Sequence, residues 1–272
     1  MPNQINKNAH DNGVTGMDFQ PQLKTGESID RLGYHGLQII QDPSKFKFTM
    51  DAFLLSAFID PKPQHKIIDL GSGGGVLSLL IAGQRQVASV WGVEIQSELV
   101  EMARRSLSLN QLEKIVNFEV ADIRNLPVEF IDNSFDYVIT NPPFFETDRG
   151  MVSENNSLAR AKFEIDCTLE DIATAAAKCV RANGKVALIY PTERLNDLMV
   201  IFNKRHLIPK RICFIHPRPG EKSNLVLMEA RPGAKKGIEV IAPITVYENG
   251  GAYTDTMEKI FHGISYRDIL TQ

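Results

Sequence analysis

Residues 67–82 read Ile67-Ile68-Asp69-Leu70-Gly71-Ser72-Gly73-Gly74-Gly75-Val76-Leu77-Ser78-Leu79-Leu80-Ile81-Ala82, and this run decides the fold. An apolar stretch that ends in glycines and resumes as helix-compatible residues predicts a strand, a tight turn and a helix start. Without Cβ atoms, such a turn lets a ligand approach the backbone, as in Rossmann-like nucleotide sites. The glycines fall at alternate positions, Gly71, Gly73 and Gly75. A dinucleotide fingerprint would place its third glycine at position 76, which is Val76.

Three further strand ends follow in order. Ser89-Val90-Trp91-Gly92-Val93-Glu94 closes on an acid 21 positions after Gly73, near the roughly 20 residues expected for a carboxylate that binds ribose hydroxyls. Val116-Asn117-Phe118-Glu119-Val120-Ala121-Asp122-Ile123 reads as a third strand ending in an acid. Tyr137-Val138-Ile139-Thr140 then runs into Asn141-Pro142-Pro143-Phe144. Two consecutive prolines fix φ and remove N–H donors, so this strand must hand over to a rigid, extended loop. The loop presents an amide side chain, carbonyl oxygens and an aromatic face. Those groups accept hydrogen bonds from an NH₂ and stack on a flat ring. Taken singly, Asp69 also reads as a cap, Glu94 and Asp122 as surface acids, and Asn-Pro-Pro as an ordinary turn. Order and spacing carry the case.

Across the chain, strand and helix patterns alternate. Strands are expected at 66–70, 88–94, 114–120, 135–140, 185–190, 210–216 and 223–230, and helices at 75–84, 97–109, 169–181 and 193–204. Such alternation predicts an α/β fold, a mostly parallel sheet with helices on both faces; the last two strands, with no helix between them, should pair antiparallel. Upstream, 29–40 suggests a hairpin, and 49–59 a helix capped by Thr49. Residues 1–28 are polar and read as a mobile arm, and 263–272 as a C-terminal tail. The connection 145–166 has the length of a binding loop or lid.

Composition excludes several classes. No apolar stretch reaches the 18 or so residues of a membrane span, and the first residues lack a signal-peptide core, so cytoplasmic residence follows by default. Cys167, Cys179 and Cys213 have neither metal-ligand nor redox spacing and read as reduced structural thiols; no metal site is expected. The net charge is −3, but 204–236 holds nine basic residues against Glu221 and Glu229, a segment of +7 on a remainder of −10. A basic face on an acidic protein suits a phosphate backbone; a solvated face of strands and loops is the bland alternative.

Together, the alternate-glycine loop preceded by Asp69, the acids Glu94 and Asp122, and Asn141-Pro142-Pro143-Phe144 resemble the S-adenosylmethionine-dependent methyltransferases that modify exocyclic amino or amide nitrogens. With Phe46-Lys47-Phe48-Thr49-Met50-Asp51-Ala52-Phe53-Leu54-Leu55 and Arg218-Pro219, residues 29–262 look like the bacterial tRNA adenine-N6 methyltransferases that act on the anticodon loop of valine tRNA. The resemblance implies a Rossmann-like, seven-stranded class I sheet, mostly parallel with one antiparallel strand. It implies S-adenosylmethionine binding by Asp69, Gly71, Ser72, Gly73, Gly75, Glu94, Ile95, Asp122, Ile123 and Asn141, with the Asp122 carboxylate accepting from the adenine amine. Residues 29–60 would cover the cofactor. Asp51 there is either a contact to its methionine moiety or a first-turn helix acid. Asn141, Pro142, Pro143 and Phe144 would hold the target amine, and tRNA would lie on 204–236 and on loop 145–166 through Arg149, Arg160 and Lys162. No obligate protein partner is evident. After the catalytic loop, Ala159-Arg160-Ala161-Lys162-Phe163-Glu164 departs from the family's Ala-Arg-His-Glu-like signature. The alternative acceptors are another RNA or DNA amino group and a protein-glutamine amide, which presents the same two donors as an adenine amine.

Overall fold

The computed structural model describes residues 22–33, 36–44, 48–132, 134–142 and 167–271. A two-stranded hairpin, β1 (Ser28–Leu32) and β2 (Leu37–Gln41), comes first. Helix α1 (Asp51–Phe58) follows, and then the alternating series: β3 (Lys66–Leu70), α2 (Val76–Gln84), β4 (Ser89–Glu94), α3 (Ser97–Asn110), β5 (Val116–Val120), the short α4 (Val128–Ile131) and β6 (Phe135–Thr140). After residue 166 come α5 (Leu169–Cys179), β7 (Val180–Pro191), α6 (Leu195–Lys204), β8 (Leu207–His216) and β9 (Leu225–Pro232). Two short strands, β10 (Glu239–Val240) and β11 (Ile244–Thr245), and helices α7 (Asp255–Phe261) and α8 (Tyr266–Leu270) complete the described chain.

Among the described residues the sheet order is β10-β8-β9-β7-β6-β3-β4-β5, with β11 also on β8. Only β9 runs antiparallel to its neighbours β7 and β8. Seven strands thus form the expected sheet. The two-residue β10 and β11, too short to show periodicity, lie along the outer edge of β8 and cover its free backbone groups.

Strand composition follows from burial on both faces. Ile67 and Ile68 are adjacent and both fully buried, but Ile67 joins the layer of α1, α2, α3 and α7 while Ile68 joins the layer of α4, α5 and α6. Apolar residues are therefore favoured on both faces, which is why β3 and β6 read as largely apolar runs rather than as alternating ones, with buried Asp69 and Asp136 held by hydrogen bonds from Ser78 Oγ and Lys66 N–H.

Helix ends show local chemistry. Thr168 and Asp171 form a capping box on α5: the Thr168 side chain accepts from Asp171 N–H, and the Asp171 side chain accepts from Thr168 N–H. At α1 the expected cap is corrected. The helix starts at Asp51 with Met50 preceding it, and the Thr49 hydroxyl donates to the Asp51 carboxylate at 2.8 Å instead of accepting from a backbone N–H. Helix α5 ends at Cys179, because Val180 turns extended (φ −76°, ψ 131°) and β7 begins at once.

The N-terminal hairpin docks on α3. Ser106 Oγ and Asn110 Oδ1 accept from the β2 backbone N–H groups of Ile40 and Gln38, at 2.9 and 2.8 Å. Within 22–28, Glu27 pairs with Arg105 and Lys24 with Glu101, so this part of the expected arm is tied to the same helix; residues 1–21 lie outside the described residues. Residues 263–272, expected as a tail, contain α8. Its Tyr266 is buried, and the hydroxyl donates to Ala242 C=O at 2.9 Å. No helix among the described residues is long and apolar enough to cross a membrane.

Candidate active site

The strand order reverses between β3 and β6, and in open α/β sheets ligands settle at the carboxyl ends of strands at such a switch point. Here Thr140 Oγ1, at the end of β6, donates to Leu70 C=O at the end of β3 at 2.8 Å. This bond ties together the two strand ends that carry Asn141 and the glycine loop.

The glycine loop is held from the neighbouring strand. Gly71 N–H and Ser72 N–H both donate to Val93 C=O at 2.9 Å, and Gly73 N–H donates to Glu94 Oε2 at 3.0 Å. Gly71, Gly73 and Gly75 all have positive φ, at 73°, 54° and 84°, which explains the alternate spacing: side chains there would be strained. At Gly75 a Cβ would also lie 2.4 Å from Phe118 Cζ.

Each predicted acid has a distinct setting. Glu94 is 2% exposed, accepting from Gly73 N–H and, through Oε1, from Gln96 N–H at 3.0 Å. Burial pushes its carboxyl above the usual range, and these N–H donors oppose the rise. Asp69 is 1% exposed and lies beneath the loop, accepting from Ser78 Oγ at 2.8 Å and so pinning β3 to α2. Its pKa is pushed up to about 7, chiefly by burial. Asp122 accepts from Arg124 N–H and Nε, both at 2.9 Å, and this pairing holds its carboxyl below the usual range. Asp51 has its carboxyl raised by burial, with the Thr49 hydroxyl opposing.

One cleft of about 440 Å³, counting the solvent at its mouth, gathers much of this set. Its walls are Leu70, Gly71, Val93, Glu94, Ile95, Ala121, Asp122, Ile123, Thr140, Pro142, Cys167 and Ile172. Of the residues expected from the sequence, Gly71, Glu94, Ile95, Asp122, Ile123 and Pro142 line this cleft; Asp69, Ser72, Gly73, Gly75, Asn141 and Asp51 are not on its wall. Ser72, Gly73 and Gly75 shape the loop from behind, and half-buried Asn141 stands between Thr140 and Pro142, both on the wall. Leu70, Val93, Ala121, Thr140, Cys167 and Ile172 were not among the expected site residues. Thr140 adjoins Asn141 and could have been found by its hydroxyl at a strand end, whereas Cys167 and Ile172 arrive from a segment distant in sequence. Burial raises the Cys167 thiol to about 12, so it is a neutral wall group. Pro143, Phe144, Arg149, Arg160 and Lys162 lie outside the described residues.

The basic segment is divided by its own strands. Arg218 and Lys222 sit in the β8–β9 turn, level with Pro191 and hence with the cleft end of the sheet. Lys204, Arg205, Arg231, Lys235 and Lys236 lie toward the other end of the β8–β9 hairpin. Ten residues of β8 separate the groups, a rise of about 33 Å. Several charges are also spoken for: Arg211 and Lys185 pair with buried Glu229 at 3.3 and 3.1 Å, Tyr137 donates to the same carboxylate, and Arg205 pairs with Glu170. The expected single basic face is thus two separate patches.

A family model described as the methyltransferase small domain matches residues 47–190, from the segment before α1 to the end of β7. The chain belongs to that family. S-adenosylmethionine is the cosubstrate of this methyltransferase, and the positive-φ glycines, the buried Glu94 and the mixed cleft wall suit a nucleoside with ribose hydroxyls to donate. Among similar proteins, the tRNA1(Val) (adenine(37)-N6)-methyltransferase of Porphyromonas gingivalis is 28% identical over 210 residues, covering 75% of this chain and 81% of its own. That of Dyadobacter fermentans is 23% identical over 217 residues, covering 79% and 88%. A crystal structure of a predicted O-methyltransferase from Agrobacterium tumefaciens superposes with a TM-score of 0.65 at 25% identity, over 80% of this chain and 98% of that one. Trm5 of Methanocaldococcus jannaschii, solved in complex with adenosine, shares the fold with a TM-score of 0.54 at 14% identity, over 79% of the methyltransferase and 57% of Trm5.

Proposed function

We propose that this methyltransferase moves a methyl group from S-adenosylmethionine to the exocyclic amine of an adenine in tRNA, in the anticodon loop of valine tRNA. The observation that supports the reading best is the position of Asn141-Pro142 at the carboxyl end of β6, which Thr140 ties to the end of β3, with Pro142 on the wall of a cleft shared with Glu94 and Asp122. The names of the similar tRNA methyltransferases support the choice of acceptor.

An adenine amine is a poor nucleophile, because its lone pair is delocalised into the ring. Asn141 Oδ1 and Pro142 C=O would accept its two N–H hydrogens and favour a pyramidal nitrogen, an electrostatic and orientational role. The lone pair then bonds the methyl carbon as the carbon–sulfur bond breaks, and the surplus N–H proton leaves to water. No side-chain base is needed. Phe144 would stack on the base, and an unpaired loop base is available for such insertion. Glu94 would accept from ribose hydroxyls. For Asp122 to accept from the adenine amine of the cofactor, that amine must share the carboxylate with Arg124. Asp51 we assign to the helix start, since Thr49 is the partner the geometry gives it. Arg218 and Lys222, at the cleft end, would meet phosphates near the target, and Lys235 and Lys236 a distal part of the RNA. Arg149, Arg160 and Lys162 of loop 145–166 would add contacts there.

Incubation with methyl-labelled S-adenosylmethionine and, separately, total tRNA, ribosomal RNA and protein extract tests the acceptor. Label should enter tRNA as N6-methyladenosine, and label confined to protein would sink the reading in favour of a glutamine amide. Asn141→Ala should lower transfer by on the order of 10³-fold with cofactor affinity intact; equal loss of both would make Asn141 structural.

A further inference from the structure

The backbone pairing of β3 with β6 stops one residue short of both strand ends. Its register runs Ile67 to Tyr137, Ile68 to Val138 and Asp69 to Ile139, and goes no further. On their other sides both strands stay paired through the next residue, Leu70 with Val93 of β4 and Thr140 with Leu188 of β7. The sheet therefore opens between Leu70 and Thr140, at the point where the strand order reverses. The Thr140 side chain spans this opening, its hydroxyl donating to Leu70 C=O at 2.8 Å. Both residues are buried, so water does not compete for the bond.

The two strand ends lead to different halves of the chemistry. Leu70 runs into Gly71-Ser72-Gly73, the loop of the cofactor cleft, and Thr140 runs into Asn141-Pro142, which would hold the target amine. The glycine loop has its own anchors on β4, from Gly71 and Ser72 N–H to Val93 C=O and from Gly73 N–H to the Glu94 carboxylate. None of these anchors reaches β6. Beyond Asp69 and Ile139, the Thr140 hydroxyl fixes the separation of the loop from Asn141. That separation matters for transfer: the amine nitrogen must lie about 3–3.5 Å from the methyl carbon, and a misplacement of about 1 Å costs on the order of 10²-fold in rate.

We infer that Thr140 is a positioning residue for methyl transfer: by closing the opening between β3 and β6, its hydroxyl holds Asn141-Pro142 at transfer distance from the cofactor loop. A threonine suits this place. Branching at Cβ restricts χ1, so the strand backbone sets the direction of the hydroxyl, and without that donor a buried C=O would favour a shift of the strand ends. The inference rests on the reading above that Asn141 and Pro142 receive the acceptor amine, whichever molecule carries it.

Thr140→Val keeps the shape of the side chain and removes the donor. Measured on the acceptor that takes label from wild type, its kcat should be lower by about 10- to 100-fold, with KM for the acceptor and the affinity for S-adenosylmethionine unchanged, because each loop keeps its own contacts. Thr140→Ser, which restores the hydroxyl, should recover most of the loss. A merely structural role would lower the melting temperature and leave kcat per folded molecule as in wild type; that result, or an equal loss of kcat and cofactor affinity, overturns the inference. Should Thr140→Val not fold, Thr140→Ala decides, since it leaves room for a water on Leu70 C=O: lowered kcat at normal cofactor affinity supports the tie, and wild-type kcat overturns it. Label entering protein but not tRNA refutes the tRNA reading, and the same kcat comparison on the protein acceptor then judges Thr140. Where wild type labels no acceptor, amide exchange decides: S-adenosylhomocysteine should protect the Asn141 N–H in wild type and not in Thr140→Val, and equal exchange in both overturns the inference.

Discussion

The two halves of the sheet present function in opposite ways. In the β3-β4-β5 half every candidate group stands within a few residues of a strand end: Asp69 and Glu94 are buried, Glu94 held to the glycine loop through Gly73 N–H and Asp69 to α2 through Ser78. In the β7-β9-β8 half the basic groups are strewn over a hairpin whose strands carry some to the cleft and others about 33 Å away. A site built at one strand end can be read from spacing. A surface assembled from composition cannot, because register, not count, decides which charges are neighbours.

Gly92→Ala tests the rigid half hardest. Its Cβ would lie 2.3 Å from two atoms of the Phe118 ring, which packs beneath the glycine loop. Calorimetry should show a loss of about 1–3 kcal/mol, whereas Gly250→Ala, with no heavy atom within 4 Å of the new Cβ, should melt like the wild type. If both variants melt alike, the packing under the loop is looser than described. Next in size, Glu94→Gln should weaken S-adenosylmethionine binding about 10- to 100-fold by titration calorimetry, as expected when a charged acceptor is lost from a hydrogen-bonded site. Unchanged affinity would remove Glu94 from the ribose role.

The buried Asp69 gives a pH-dependent effect with a definite sign. Its folded pKa of about 7 lies above the ordinary 3.8, so its favourable contribution is complete below about pH 4 and is lost as pH rises through about 7. The melting temperature of wild type relative to Asp69→Asn should accordingly fall between those values, by on the order of 10 °C. A flat difference would mean that Asp69 ionises normally. Smallest is the contrast between basic patches. Reversing Arg218 and Lys222 should weaken tRNA binding several-fold and flatten its salt slope by about 2, while reversing Lys235 and Lys236 should do less of both. Equal effects would show that the RNA spans both ends of the hairpin.

Much of the architecture was legible because parallel strands buried on both faces are largely apolar runs, and β3 and β6 fall where those runs do. The start of α1 was misplaced since Thr49 has a carboxylate two residues on that competes for its hydroxyl. The ion pair of Asp122 with Arg124 is local and lay open to inspection in the sequence. The contributions of Cys167 and Ile172 to the cleft were not, nor was α8, whose burial depends on Tyr266 reaching the 242–243 carbonyls.

From the sequence alone came the strand–turn–helix order, the positions of the loop glycines, the acids after β4 and β5 and the Asn-Pro-Pro ending of β6, all properties of a few consecutive residues acting through backbone geometry. Tertiary structure alone decided which of them share a wall, that the basic segment is split, and that the Thr140 hydroxyl meets Leu70 C=O. Those outcomes depend on strand order and register, which bring together groups as far apart in the chain as Leu70 and Ile172, and no local spacing encodes them.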